Sequence, residues 1–251
     1  MNGPRSVEAP LNYLDEARTV SITDARTCAQ APTLEREGFT LASHRTAVTD
    51  FADRRQIDEI YMREMEAFLA GLLGAAKVLA YPTYVRRFTG AEGEADKRVL
   101  KAGRAVHVDF DDPSARDFLG AVADVEATLK SYRRAQIIQT WQALSGGFQD
   151  IPLAVCDGRT VEESDLVRVP FAARPLGPVK VFDFYKSRYN PAHRWFYYSA
   201  MQPDEVLLFQ GHSFNAEDRR LVMHTAFDDP SCPPGAPPRE SIEARFFVLS
   251  Y

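Results

Sequence analysis

The sequence predicts a mainly β domain with helices in its N-terminal half, of sandwich or barrel type, and three observations carry that expectation. From about residue 104 onward, short runs of β-branched and aromatic residues follow one another, separated by Gly, Pro and Asp clusters. One amphipathic helix precedes them, and no repeat or low-complexity block interrupts the chain. The length of 251 residues suits one domain over 1–251, with an arm, helix and strand region in 1–100 and most of the β core in 101–251.

Taken in order, the first thirty residues are mixed and turn-rich and read as an extended arm. Residues 54–74 read as a helix, because Ile57, Ile60, Tyr61, Met65, Phe68, Leu69 and Leu72 recur at spacings of three and four. Asp50 or Asp53 is placed to cap its start and Gly74 to end it. Residues 77–84 follow as a strand. Further β-type runs cover 105–110, 135–144, 179–185, 195–200, 206–210, 221–227 and 241–249, with a second helix predicted over 115–132.

Composition excludes several classes. An apolar content of 45% allows a sizeable core, while a formal net charge of −5 argues against a nucleic-acid partner. No apolar stretch approaches a membrane span, and residues 1–14 have neither the basic start nor the apolar run of a signal peptide, so a cytoplasmic location is expected. Cys28, Cys156 and Cys232 are far apart and odd in number, which points to reduced thiols and away from a disulfide framework or a structural zinc site.

The chemistry concentrates in two histidine-bearing β runs. His107 and Asp109 stand two apart, so on a strand both side chains leave the same face and can grip one ion. His224, in a distant run, is the best candidate for a third ligand. Two histidines and a carboxylate form the facial triad of non-haem Fe(II) oxygenases, which leaves coordination positions open for a co-substrate and O₂. His44, His193 and His212 are read as surface or hydrogen-bonded core histidines, with His193 and His212 the next candidates should His224 not serve.

A third element follows His224. Arg239, Ser241, Glu243 and Arg245 alternate onto one face of the last predicted strand, and the pattern admits either arginine as a carboxylate fork. Arg239 has a hydroxyl two residues on, whereas Arg245 has Glu243 two residues before it as a ready partner. The competing structural reading pairs Arg239 with Asp228, Asp229 or Glu240 at a strand end.

Several segments in order carry a family resemblance: residues 11–14, 24–26 and 37–39, the helix around Tyr61, His107-Val108-Asp109, and residues 152–157. Residues 193–198 (HRWFYY), 201–205 (MQPDE), 224–230 (HTAFDDP) and 239–243 (RESIE) complete the series. Together they resemble the fungal and bacterial hydroxylase/desaturase family related to the cephalosporin 7α-methoxylase small-subunit proteins. The resemblance implies a double-stranded β-helix (jelly roll, cupin-like) and an Fe(II)/2-oxoglutarate-dependent oxidoreductase that hydroxylates or desaturates a small natural-product intermediate with O₂. It implies His107, Asp109 and His224 as metal ligands, and Arg239 with Ser241 as the co-substrate contact. One departure stands out: relatives often carry Asn-x-Trp-Arg where this chain has Gln139-Thr140-Trp141-Gln142, which puts the usual contact of that arginine in doubt.

Rival readings are a cupin-like dioxygenase that does not use 2-oxoglutarate and a non-catalytic small-molecule-binding partner subunit. A zinc hydrolase fits worst, since no H-x-x-x-H helix with a nearby acid is present. Trp141, Tyr197, Tyr198 and Phe227 are candidates to line a substrate pocket, with core packing as the alternative for each.

Overall fold

The structure is a computed structural model that describes residues 15–88, 102–173 and 180–251. Strand β5 (Arg134–Ala143), buried along almost its whole length, lies at the centre of a five-stranded sheet. Its neighbours are β10 (Glu205–Ser213) and β12 (Glu240–Ser250), with β2 (Phe39–Ser43) and β3 (Lys77–Phe88) at the edges, giving the order β2-β10-β5-β12-β3. All four of these pairings are antiparallel.

A seven-stranded sheet faces it. This sheet contains β1 (Ile22–Asp24), β9 (Trp195–Tyr197), β6 (Leu153–Cys156), β11 (His224–Ala226), β4 (His107–Val108), β8 (Lys180–Ser187) and β7 (Leu166–Ala173), in that spatial order. Between the sheets pack Trp141, Leu207 and Phe209 from one side and Leu153 and Val155 from the other.

The outer face of the five-stranded sheet is covered by the predicted N-terminal helix. It begins with Arg54–Gln56, passes through a π-helical turn over Ile57–Tyr61 and continues as α1 (Met62–Leu73). Asp53 caps its start by accepting from the Arg55 backbone N–H, and Gly74 ends it in the left-handed region at φ 59°. Ile57, Tyr61, Met65 and Leu69 form the buried stripe and pack on Ile138, Ile242, Ala244 and Phe246. Each such fully buried side chain contributes roughly 1.5–3 kcal/mol. Among the described residues, no helix is long and apolar enough to cross a membrane.

Several expectations need correction, among them the run 221–227, which narrows to His224–Ala226. The helix predicted over 115–132 is two helices, α2 (Asp112–Gly120) and α3 (Val125–Ser131). Asp124 breaks the run because its side chain accepts from the Ala127 N–H and starts a new helix. The strand predicted over 105–110 narrows to His107–Val108, since Asp111 already forms a capping box with Ser114. The run 195–200 stops at Tyr197, ahead of a turn in which Ala200 takes φ 45°. The arm predicted over the first thirty residues includes β1, which pairs in parallel with β9; residues 1–14 lie outside the described residues.

Strands β1, β2, β6 and β7 were not expected from the pattern. Strand β6 is buried on both faces and shows no alternation to read.

Candidate metal centre

β11 and β4 run antiparallel with His224 directly opposite His107. Cross-strand partners share a face, so the two imidazoles stand together, with ring centroids 4.2 Å apart. Asp109, just past the end of β4, turns its carboxylate to the same point. Its Oδ1 lies 3.3 Å from His107 Nε2 and 3.8 Å from His224 Nε2. One ligand atom from each of the three residues falls within 4.8 Å of the others, a spacing that one ion can span.

The imidazoles are oriented from behind. His107 Nδ1 lies 2.7 Å from the Ala105 carbonyl oxygen, and His224 Nδ1 faces the Val222 carbonyl oxygen at 3.5 Å. Donation from Nδ1 leaves the Nε2 lone pair directed into the site, the usual arrangement for a metal-binding histidine. Burial, then the neighbouring His107, push the His224 imidazole down to about 4. Burial acts in the same direction on His107, but the contact and charge of Asp109 outweigh it and raise that imidazole.

Asp109 is held from its far side. Arg245 Nε donates to Asp109 Oδ2 at 3.2 Å, and a terminal guanidinium nitrogen donates to the same oxygen and to Glu243. Burial alone would raise the Asp109 carboxyl, yet the Arg245 charge, followed by the His107 contact, holds it well below the usual carboxylate range. Two imidazoles with directed lone pairs and one ionised carboxylate oxygen are a donor set suited to Fe(II).

Arg239 is brought to the same cleft, whose lining also includes Arg87, Leu153 and Glu243. Its side chain is only 1% exposed. Nε donates to Ser241 Oγ at 3.1 Å, a terminal nitrogen donates to the Ile151 carbonyl at 2.9 Å, and the guanidinium lies 5.0 Å over the Trp141 ring. Burial, then the Arg87 charge, push it down to about 9, against the pull of Glu243 and Asp150. The three acids weighed as strand-end partners have partners of their own: Asp228 accepts from Arg104, Asp229 from Ser231 and Glu240 from Arg86.

A profile described as an oxidoreductase/YMDC permease-like domain matches residues 1–249. The hydroxylase/desaturase efuI of Hormonema carpetanum is 32% identical over 92% of this chain and 83% of its own length. The alpha-ketoglutarate-dependent dioxygenase phiK of a fungal species is 31% identical, covering 86% of this chain and 79% of the relative. The chain belongs to this family of Fe(II)/2-oxoglutarate-dependent oxygenases. The solved iron and alpha-ketoglutarate-dependent endoperoxidase NvfI superposes with a TM-score of 0.80 at 25% identity, over 92% of this chain and 85% of that one. The two facing sheets are thus the double-stranded β-helix of the family, as expected.

Against the family pattern, the doubt raised by Gln142 resolves structurally. Its Oε1 accepts from the Tyr61 hydroxyl at 3.0 Å and its Nε2 donates to the Pro203 carbonyl. Position 142 therefore faces the helix-covered side of the sheet, away from the metal cleft. The remaining histidines also stay apart from the triad: His193 contacts Asp165 at 2.9 Å, His212 Asp112 at 3.4 Å and His44 Glu64 at 3.6 Å. Of the aromatic candidates, Trp141 meets Arg239, whereas Tyr197 packs edge-on against Phe227 and Tyr198 lies in the core near Ala25. Sequence reasoning missed Arg87, whose signal was the continuation of β3 past residue 84. The register sets Arg87 opposite Ser241.

Proposed function

We propose that this chain is an Fe(II)/2-oxoglutarate-dependent oxygenase that hydroxylates or desaturates a small natural-product intermediate. In this reading His107, Asp109 and His224 hold the iron, and Arg239 with Ser241 holds the distal carboxylate of 2-oxoglutarate. The observation that carries it is the convergence of three ligand atoms within 4.8 Å beside a buried arginine in one cleft. The names of efuI and phiK support the reaction class, and the segments quoted from the sequence support the kinship with cephalosporin 7α-methoxylase small-subunit proteins.

Bound Fe(II), with 2-oxoglutarate and O₂, supplies the oxidising power for an unactivated C–H bond, and the protein contributes orientation and exclusion of water. The backbone carbonyls of Ala105 and Val222 fix the imidazoles. Arg245 keeps Asp109 ionised and occupies Oδ2, which presents Oδ1 as the metal-facing atom. A buried guanidinium at Arg239 pairs strongly with a carboxylate, because little water competes there. Arg239 and Ser241 would hold the distal carboxylate of 2-oxoglutarate while its other end faces the triad.

The test is anaerobic addition of Fe(II) and then 2-oxoglutarate, followed by succinate analysis after admitting air. A weak visible charge-transfer band and succinate formation are expected. Iron binding without the band or succinate would favour a dioxygenase that does not use 2-oxoglutarate. Binding of neither would favour a non-catalytic partner subunit.

A further inference from the structure

Two polar side chains on the inner face of β5 are fully enclosed and find no hydrogen-bond partner among the described residues. Gln139 is 0% and Trp141 1% exposed. Neither the Oε1 nor the Nε2 of Gln139, nor the Trp141 indole nitrogen, has a hydrogen-bond partner among the described residues. Leaving such groups unpaired costs about 1–3 kcal/mol each, so their retention calls for a ligand.

Their places in the sheet say where that ligand lies. Gln139 is registered between Arg245 on β12 and Phe209 on β10. Arg245 holds Asp109, and the Phe209 ring lies 4.9 Å from that of His224. Gln139 therefore sits one strand spacing from two residues that touch the triad. Trp141 is two residues along the same face, at the Arg239 end. Room for the amide is built in: Gly211 lies at a bulge in β10, and a Cβ there would come within 2.9 Å of Gln139 Oε1.

We propose that Gln139 and the Trp141 indole N–H are two further contacts to 2-oxoglutarate, Gln139 toward its metal-bound end and Trp141 toward its distal carboxylate. The assignment rests on the reading of the site given above. The indole N–H can only donate, which requires an acceptor such as a carboxylate oxygen. The amide can donate to a carboxylate or keto oxygen. The two residues are spaced along the strand on the scale of a short dicarboxylate, running from the triad toward Arg239.

Anaerobic titration of the Fe(II) protein with 2-oxoglutarate, read by the charge-transfer band, tests this in Gln139→Leu, Trp141→Phe and Gly211→Ala. The first two are expected to weaken half-saturation by about 10- to 100-fold each, the loss of a hydrogen bond to a charged group. Gly211→Ala is expected to weaken it by displacing the amide. The second readout is the denaturation midpoint of the metal-free protein. It should hold or rise in Gln139→Leu, because an unpaired buried amide is removed; a purely structural glutamine would lower it. A wild-type band with unchanged half-saturation in both Gln139→Leu and Trp141→Phe overturns the assignment alone. An effect in one variant strikes the other residue from it. No band in the wild type overturns the reading of the site and this assignment with it.

Discussion

Arg245 binds Asp109 through Oδ2 only, leaving Oδ1 to face His107 and His224 at 3.3 and 3.8 Å. In the proposed site the arginine would thereby decide which carboxylate oxygen meets the metal. It is itself braced by Glu243, so two acids share one buried cation. Removing one partner of a buried pair strands the other, at a cost of about 3–5 kcal/mol. Arg245→Met is expected to destabilise the metal-free protein by that order and to weaken Fe(II) binding as well. Denaturant unfolding and iron titration check both effects; a loss of stability below about 1 kcal/mol with normal iron affinity would mean that Asp109 does not depend on Arg245.

The triad itself should be indispensable. His107→Ala, Asp109→Ala and His224→Ala each remove one of the three proposed ligands, and each is expected to abolish stoichiometric Fe(II) binding and turnover. Iron content after anaerobic loading and desalting measures this. Full iron retention in His224→Ala would show that the ligand set is wrong.

Reaction type follows from the same carboxylate. As a metal ligand, Asp109 would fill the position that a halide needs, so oxygenated or dehydrogenated product is expected and chlorinated product is not. Mass spectrometry of reactions run in excess chloride decides it, with a chlorine isotope pattern as the contrary outcome.

Acid sensitivity of the metal-free protein should trace to buried histidines. Burial, then His107, hold His224 at about 4; burial, then Arg219, hold His212 at about 4, although Asp112 and Asp111 pull the other way. Both values lie below the 6.5 of a free imidazole, so the unfolded chain binds protons first as the pH falls. Their contribution to stability is complete above pH 6.5 and declines toward about 4, at up to about 1.4 kcal/mol per pH unit for each group. His107 is raised, so its contribution is constant in that window and declines only at higher pH. Unfolding midpoints across the window should fall less steeply in His212→Phe than in wild type. Equal slopes would remove His212 from the account.

Much of the site was legible because it depends on local spacing. His107 and Asp109 are two apart, and Arg239 and Ser241 alternate with Glu243 and Arg245, so same-face placement follows from the strand repeat. The Arg245–Glu243 contact was readable for the same reason. What spacing does not carry is cross-strand register. The Arg245–Asp109 bond, the Arg87–Ser241 pairing and the Gln139 position beside Arg245 each depend on which strands neighbour one another. In the fold, the N-terminal helix was clear because one face is buried and the other wet. Strand β6 was not, because all four of its residues are buried and no period marks it.

Arg245 lies on β12 and Arg239 immediately precedes that strand, and their different contacts give separable expectations for the two. Arg239 lies in the cleft, over Trp141 and bonded to Ser241. Arg245 is committed to Asp109 and Glu243. Truncating a buried arginine that pairs with a ligand carboxylate costs about 2–5 kcal/mol, or roughly 30-fold to several thousand-fold in affinity. Arg239→Ala is therefore expected to weaken 2-oxoglutarate by that order while Fe(II) binding stays nearly intact. In Arg245→Ala, by contrast, iron affinity and stability should fall together. Iron titration followed by 2-oxoglutarate titration of the charge-transfer band in both variants distinguishes the roles. Normal 2-oxoglutarate affinity in Arg239→Ala, with iron retained and the co-substrate lost in Arg245→Ala, would assign the distal carboxylate to Arg245 instead.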